Sequence, residues 1–235
     1  MKKIFLFFLF ITIMFGWVGE ISAIKGKAVI KRGDMKLVVI KGERIEKNDI
    51  IETFSNSKLQ IIFKDKTIIT LGKNSKFKVA DYLFDDENAK AEFSLSRGVM
   101  KTLTGKIGKI APKRFRVITK NASIGIRGTY FIVEKGDKIV TLSMLSGVTI
   151  FTNLKNMESY EVKVGEQLIF DVEKNSIRIK HYIPLKELKT KDDKSSEADE
   201  VMNDENRNSK DVTKDTIKKD NLYMKFVNGV KKLWH

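Results

Sequence analysis

The chain has 235 residues, with 45 lysines and arginines against 30 aspartates and glutamates, and no cysteine. The missing cysteines exclude disulfides, thiolate metal centres and cysteine nucleophiles. A formal net charge of +15 favours anionic partners, and only two histidines leave little material for a metal or acid–base centre.

The N-terminus carries the pattern of a secretory leader. Lys2 and Lys3 precede Ile4 to Val18, fifteen residues without a charge, and Ile21-Ser22-Ala23 offers a cleavage site. This predicts a signal peptide over 1–23 and export to the periplasm. The alternative is an uncleaved inner-membrane anchor. Fifteen helical residues span about 22 Å, short of a hydrocarbon core of about 30 Å, which favours cleavage. An exported chain rarely meets nucleic acid, so none is expected as a partner.

Residues 24–185 form a segment long enough to bury one core. They hold 31 basic and 18 acidic side chains, whereas 186–235 hold 12 and 11. The positive charge therefore belongs to the segment expected to fold. Leu59, Ile61 and Phe63 alternate at the strand period. Ile68 to Leu71 returns after a Lys64-Asp65-Lys66 turn, predicting a hairpin. Two more hairpins are predicted around Glu134 to Lys138 and around Glu173 to Ser176. β-branched residues dominate these runs, proline occurs only at 112 and 184, and no helical period is evident before 185. Gly-Ile-Arg-Gly-Thr at 125–129 lies between two apolar runs and predicts a sharp bend between two strands. A faint repeat pairs Gly26 and Gly42-Glu43 with Gly147 and Gly165-Glu166. Repeated strand–turn units point to stacked coils or a rolled sheet.

Beyond Pro184 the composition changes. Residues 186–212 read as a charged flexible linker, too poor in apolar surface to fold. Residues 213–235 read as an amphipathic helix, with Tyr223, Phe226, Val230 and Trp234 on one side. Lys218, Lys219, Lys225, Lys231 and Lys232 occupy much of the remainder. Such a helix docks on an anionic membrane or a partner's groove, or folds back on its own domain; an external partner is favoured.

Six segments in order resemble the FecR domain of bacterial cell envelopes. Asn48-Asp49-Ile50-Ile51-Glu52-Thr53 resembles its Gly-Asp-x-Ile-x-Thr, with Asn48 in place of glycine. Ile61 to Ile68 resembles its strand, Asp-turn and returning strand, and Leu71 to Phe77 follows with Lys73 where proline is common. Arg127-Gly128-Thr129 resembles its most recognisable motif, and Leu145 to Ile150 and Val164-Gly165-Glu166 resemble its closing segments. The resemblance covers residues 24–172. It implies an all-β fold, elongated and β-helix-like or a rolled sheet of short strands and hairpins. It also implies a periplasmic sensing or scaffolding module with no known chemistry. In iron uptake such domains belong to anti-sigma regulators with a cytoplasmic segment before the membrane span. This chain begins at the span, so direct hold on a sigma factor is not expected.

Candidate sites follow from these readings. Gly125, Arg127, Gly128 and Thr129 are family-motif residues with a structural role, the arginine fork serving backbone carbonyls or a buried carboxylate. Lys101, Lys106, Lys109, Lys113, Arg114, Arg116 and Lys120 form an acid-free basic loop, with Gly105 and Gly108 lending flexibility. It would attract phosphates or carboxylates, or serve only as a soluble connection. His181 shares a face with Ile177 and Ile179 and reads as a packing residue. Asp85-Asp86-Glu87 lacks calcium-loop spacing. No enzyme activity, cofactor or metal is predicted. The expected partner is an envelope protein, with an anionic membrane surface or cell-wall polymer as the alternative.

Overall fold

The computed structural model describes residues 16–85 and 87–182. The chain opens with β1 (Gly19–Lys25), β2 (Ala28–Arg32), β3 (Met35–Val38) and β4 (Arg44–Ile45). β5 (Ile50–Thr53), β6 (Lys58–Phe63), β7 (Ile68–Leu71) and β8 (Lys76–Leu83) follow, then the long β9 (Lys90–Leu103). A short α1 (Ile107–Ile110) and a 3-10 turn (Pro112–Arg114) lead to β10 (Phe115–Ile118). β11 (Ala122–Lys135), β12 (Ile139–Asn153), β13 (Ser159–Lys163), β14 (Glu166–Asp171) and β15 (Ser176–His181) complete it.

Among the described residues all fifteen strands belong to one sheet, folded on itself. One half runs β4-β1-β6-β7-β9-β11-β12-β14-β15. The other runs β3-β2-β5-β8-β9-β10-β11-β12-β13. β9, β11 and β12 are shared because each passes from one half to the other. Each bends where it crosses, at Gly98 (φ 93°), Gly128 (φ 64°) and Gly147 (φ 80°). These are left-handed values open mainly to glycine. At Gly98 and Gly147 space is closed too: a Cβ would lie 2.3 Å from Ser75 Oγ and 2.4 Å from the Gly128 carbonyl oxygen.

The halves meet through aromatic side chains. Phe63 of β6 lies 4.9 Å from Phe93 of β9 and 5.3 Å from Tyr82 of β8, ring centre to ring centre. Phe77 and Phe115 extend this stack, each 5.5 Å from Phe93. Phe151 and Phe170 close the far end at 5.7 Å. Burying such side chains is worth roughly 1.5–3 kcal/mol each.

The three predicted hairpins are present as β6–β7, β11–β12 and β14–β15. The faint repeat is real in space. β1 crosses at Gly26 into the β2–β3 hairpin, and the chain returns through Gly42 to pair β4 with β1. β12 crosses at Gly147 into its pairing with β13, and returns through Gly165 to pair β14 with β12.

Three expectations change. Residues 125–129 do not separate two strands; they lie inside β11, and Gly128 only kinks it, because β12 pairs along nearly its full length. A short helical turn does occur, in the crossover between β9 and β10, which are parallel; parallel neighbours require such a crossover. The fold also begins earlier than residue 24. Val18 and Ile21 are buried in the core, and the expected cleavage point after Ala23 falls inside β1. Residues 186–235, with the expected linker and amphipathic helix, lie outside the described residues, as do residues 1–15.

Candidate functional site

The sequence motifs resolve into two buried anchors and one exposed surface. The first anchor is Asp49, fully buried at the head of β5. Arg32 of β2 grips it with two nitrogens, Nε to Oδ1 at 2.8 Å and Nη2 to Oδ2 at 2.7 Å. The same guanidinium donates to Glu46 Oε1 at 2.7 Å and to the Arg44 carbonyl at 2.8 Å. The hydrogen bond with Asp49 pushes the Arg32 pKa up, against the cost of burial. This fork geometry suits arginine and not lysine.

The second anchor is Asp65, in the β6–β7 turn and fully buried. Its carboxylate accepts from the Thr67 hydroxyl at 2.7 Å, the Tyr82 hydroxyl at 3.0 Å and the Thr67 and Ile107 backbone N–H groups at 3.1 Å. Its carbonyl accepts from the Lys106 N–H at 2.7 Å. One aspartate thus ties the hairpin to the start of α1. Burial, and then the Asp65 charge, push the Tyr82 hydroxyl well above the ordinary phenol range.

The basic segment is not one loop. Lys101 lies on β9, 4.8 Å over the Tyr130 ring, and Arg116 lies on β10. Lys106, Lys109, Lys113, Arg114, Arg116 and Lys120 are exposed. Arg114 donates to the Glu87 carbonyl at 3.1 Å. Gly105 and Gly108 are buried rather than flexible. A Cβ on Gly105 would lie 2.2 Å from the Asp65 carbonyl oxygen, and one on Gly108 2.8 Å from Thr104 Cβ. The smallness of Gly105 lets the chain enter α1 against the β6–β7 turn, and that of Gly108 lets α1 lie against Thr104 and Ile126.

Arg127 also departs from expectation. It is exposed on the outward side of β11 and, among the described residues, meets no carboxylate or carbonyl. The strand alternation is the reason: Ile126 takes the core side, so Arg127 must face out. Gly125 flanks it as an open position, and across β12 lie Val148 and exposed Ile150. Thr129 is buried, its N–H donating to Thr104 Oγ1 at 2.9 Å. Of the motif, Gly128 and Thr129 serve the backbone, and Arg127 serves the surface. His181 is exposed, with Nδ1 3.2 Å from the Gly165 carbonyl, not packed in the core. Among the described residues no group of three acidic or imidazole side chains is placed to hold a metal ion.

Sequence reasoning quoted Asp49 and Asp65 as motif residues but missed their partners Arg32 and Tyr82, 17 residues distant in each case. Only folding brings these pairs together.

No curated protein matches this chain. Two crystal structures of a candidate anti-sigma factor from Parabacteroides distasonis ATCC 8503 are similar to it, with TM-scores of 0.47 and 0.48 and identities of 15% and 16%. Each similarity covers 56% of this chain and 59% of the other, so it spans about three fifths of those proteins' own length. The family model described as FecR protein matches residues 49–149, from the Asp49 anchor to the strand beyond the Gly147 kink, so this stretch of the chain is similar to a FecR domain.

Proposed function

We propose that the protein is a non-enzymatic signalling module of the bacterial cell envelope, acting by protein contact within a sigma-factor regulatory circuit. The FecR match over 49–149 carries this reading. The exposure of Arg127 supports it. An arginine that meets no carboxylate or carbonyl among the described residues, beside exposed Ile150 and open Gly125, offers a docking contact that the described fold does not use. Arginine beside apolar surface is typical of energetically important interface positions. The partner is an envelope protein, and the module works on the periplasmic side of the inner membrane.

The test is capture from an envelope extract by the full chain and by its Arg127→Ala variant. Retention of the same partner at equal yield by both would overturn the assignment of this surface. A second reading is favoured by one observation: Lys106, Lys109, Lys113, Arg116 and Lys120 are all exposed and pair with no acid among the described residues. That set would bind an anionic polymer or lipid surface. Binding by charge weakens steeply as salt screens it, whereas capture through Arg127 and Ile150 should survive moderate salt.

A further inference from the structure

One end of the molecule gathers cations around an indole. Trp17 precedes β1 and is 37% exposed, although Val18 beside it is buried. Lys64 Nζ lies 4.4 Å from the centre of the Trp17 ring, and the Arg44 guanidinium lies 5.7 Å from it. The Val18 carbonyl accepts from the Lys64 N–H at 2.9 Å, which seats the β6–β7 turn beside Trp17. Lys66 lies in that turn, and the carbonyl of Asp65, between the two turn lysines, accepts from the Lys106 N–H at 2.7 Å. Lys109 and Ile110 follow on α1, and Ile110 is 58% exposed. Arg44, Lys64, Lys66, Lys106 and Lys109 are all exposed, and none forms an ion pair among the described residues. The acids of this end offset them little. Asp65 is buried among its own hydrogen bonds and Glu46 is taken by Arg32. Glu20, in register with Arg44, and half-buried Glu43 remain.

We propose that this end lies against an anionic lipid surface. Its lysines and Arg44 meet headgroup phosphates, while Trp17 and Ile110 enter the headgroup layer. The proposal sharpens the charge-driven reading above, which left polymer and lipid open, and rests on it. Charge alone suits either partner; the indole and the isoleucine select lipid. Tryptophan concentrates at the boundary between membrane and water, where one side of its ring is wet and the other apolar. Lysine and arginine beside it are drawn to anionic headgroups. The uncharged stretch Ile4 to Val18 includes Trp17, so the most apolar run of the sequence and this cationic end meet at one point.

The test places the full chain in nanodiscs of phosphatidylcholine alone or mixed with anionic phosphatidylglycerol, each carrying a headgroup spin label, and records isoleucine methyl signals. Contact predicts that Ile110 loses most of its signal in the anionic discs and keeps it in the neutral ones, while Ile150 keeps its signal in both. Lys64→Glu combined with Lys66→Glu and Lys106→Glu should restore the Ile110 signal. An Ile110 signal indifferent to lipid charge, or equal loss at Ile150, would overturn the proposal. So would restoration by Lys113→Glu with Arg116→Glu but not by the first set. The lipid would then bind the other basic residues, and the charge-driven reading would outlive this placement. The comparison of the two lipids needs no variant, and a thermal melt shows that each variant is folded.

Discussion

Single residues divide into those the fold consumes and those it leaves outward. Arg32 and Asp49 are consumed. Removing one partner leaves a buried charge uncompensated, which costs about 3–5 kcal/mol. Arg32→Ala should therefore lower the melting temperature by roughly 2–4 °C per kcal/mol for a domain of this size. Arg127→Ala should leave stability within about 0.5 kcal/mol, as for other surface changes. Paired melts of the two variants check this; a large loss for Arg127→Ala would restore a structural role. The crossing glycines form a second contrast. Gly128→Val meets no close neighbour, its built Cβ lying 4.0 Å from the Gly108 carbonyl oxygen. Its cost is backbone strain alone, about 1–3 kcal/mol. Gly147→Ala combines similar strain with a Cβ only 2.4 Å from the Gly128 carbonyl oxygen, so it should be the more damaging although the side chain is smaller. Equal melts for the two would show that the corner is more plastic than its geometry implies.

Among the elements, β1 limits where a leader could be cut without loss to the fold. Val18 N–H donates to the Ile45 carbonyl at 2.7 Å, and the Val18 carbonyl accepts from Lys64 at 2.9 Å. Gly19, Glu20 and Ile21 pair with Phe63, Ile62 and Ile61. A mature chain starting at residue 24 would lose these ladder bonds and the burial of Val18 and Ile21, worth roughly 1.5–3 kcal/mol per side chain. Any cut should therefore fall before Val18, leaving β1 whole. Intact-mass measurement of envelope-extracted protein checks the position. A mature mass starting at residue 24 would mean that the domain tolerates loss of most of β1. The crossover from β9 to β10 is the other decisive element, because Asp65 holds its start from below.

Across the whole molecule, the outer faces are laced by acid–base contacts between strands. Asp81 lies 2.7 Å from Lys47 and 2.6 Å from Lys90, and Glu52 lies 3.0 Å from Lys31 and 3.2 Å from Lys76. Hydrogen bonds from Lys47 and Lys90 hold the Asp81 carboxyl below its ordinary 3.8. For Glu52, burial pushes upward, but the Lys31 and Lys76 hydrogen bonds outweigh it and the result is below 4.5. Lowered folded values add stability that is complete above the ordinary values and disappears as pH falls through the folded ones. The melting temperature should thus hold from neutral pH to about 5 and decline below about 4.5. The lysines are about two fifths exposed, so each pair contributes only about 0.2–1 kcal/mol. Asp81→Asn should flatten the acid decline slightly, as read from melts across that range. A decline no different from that of the unaltered chain would assign acid sensitivity to other groups.

The strand content, the three hairpins and the repeat around Gly26 and Gly147 were legible in the sequence. Alternation, turn chemistry and glycine placement are local properties, carried by residues close together along the chain. The family motifs were legible for the same reason, as short fixed strings. What the string 125–129 does was not: a bend between strands and a kink within one strand have the same local residues. Only the pairing with β12 on both sides of Gly128, shifted in register there, decides between them. The outward side of Arg127, the Arg32–Asp49 grip and the Asp65 tie to α1 were likewise settled by tertiary structure. Each depends on which face of a strand turns to the core and on partners distant in sequence. That depends in turn on one sheet closing over itself at Gly98, Gly128 and Gly147.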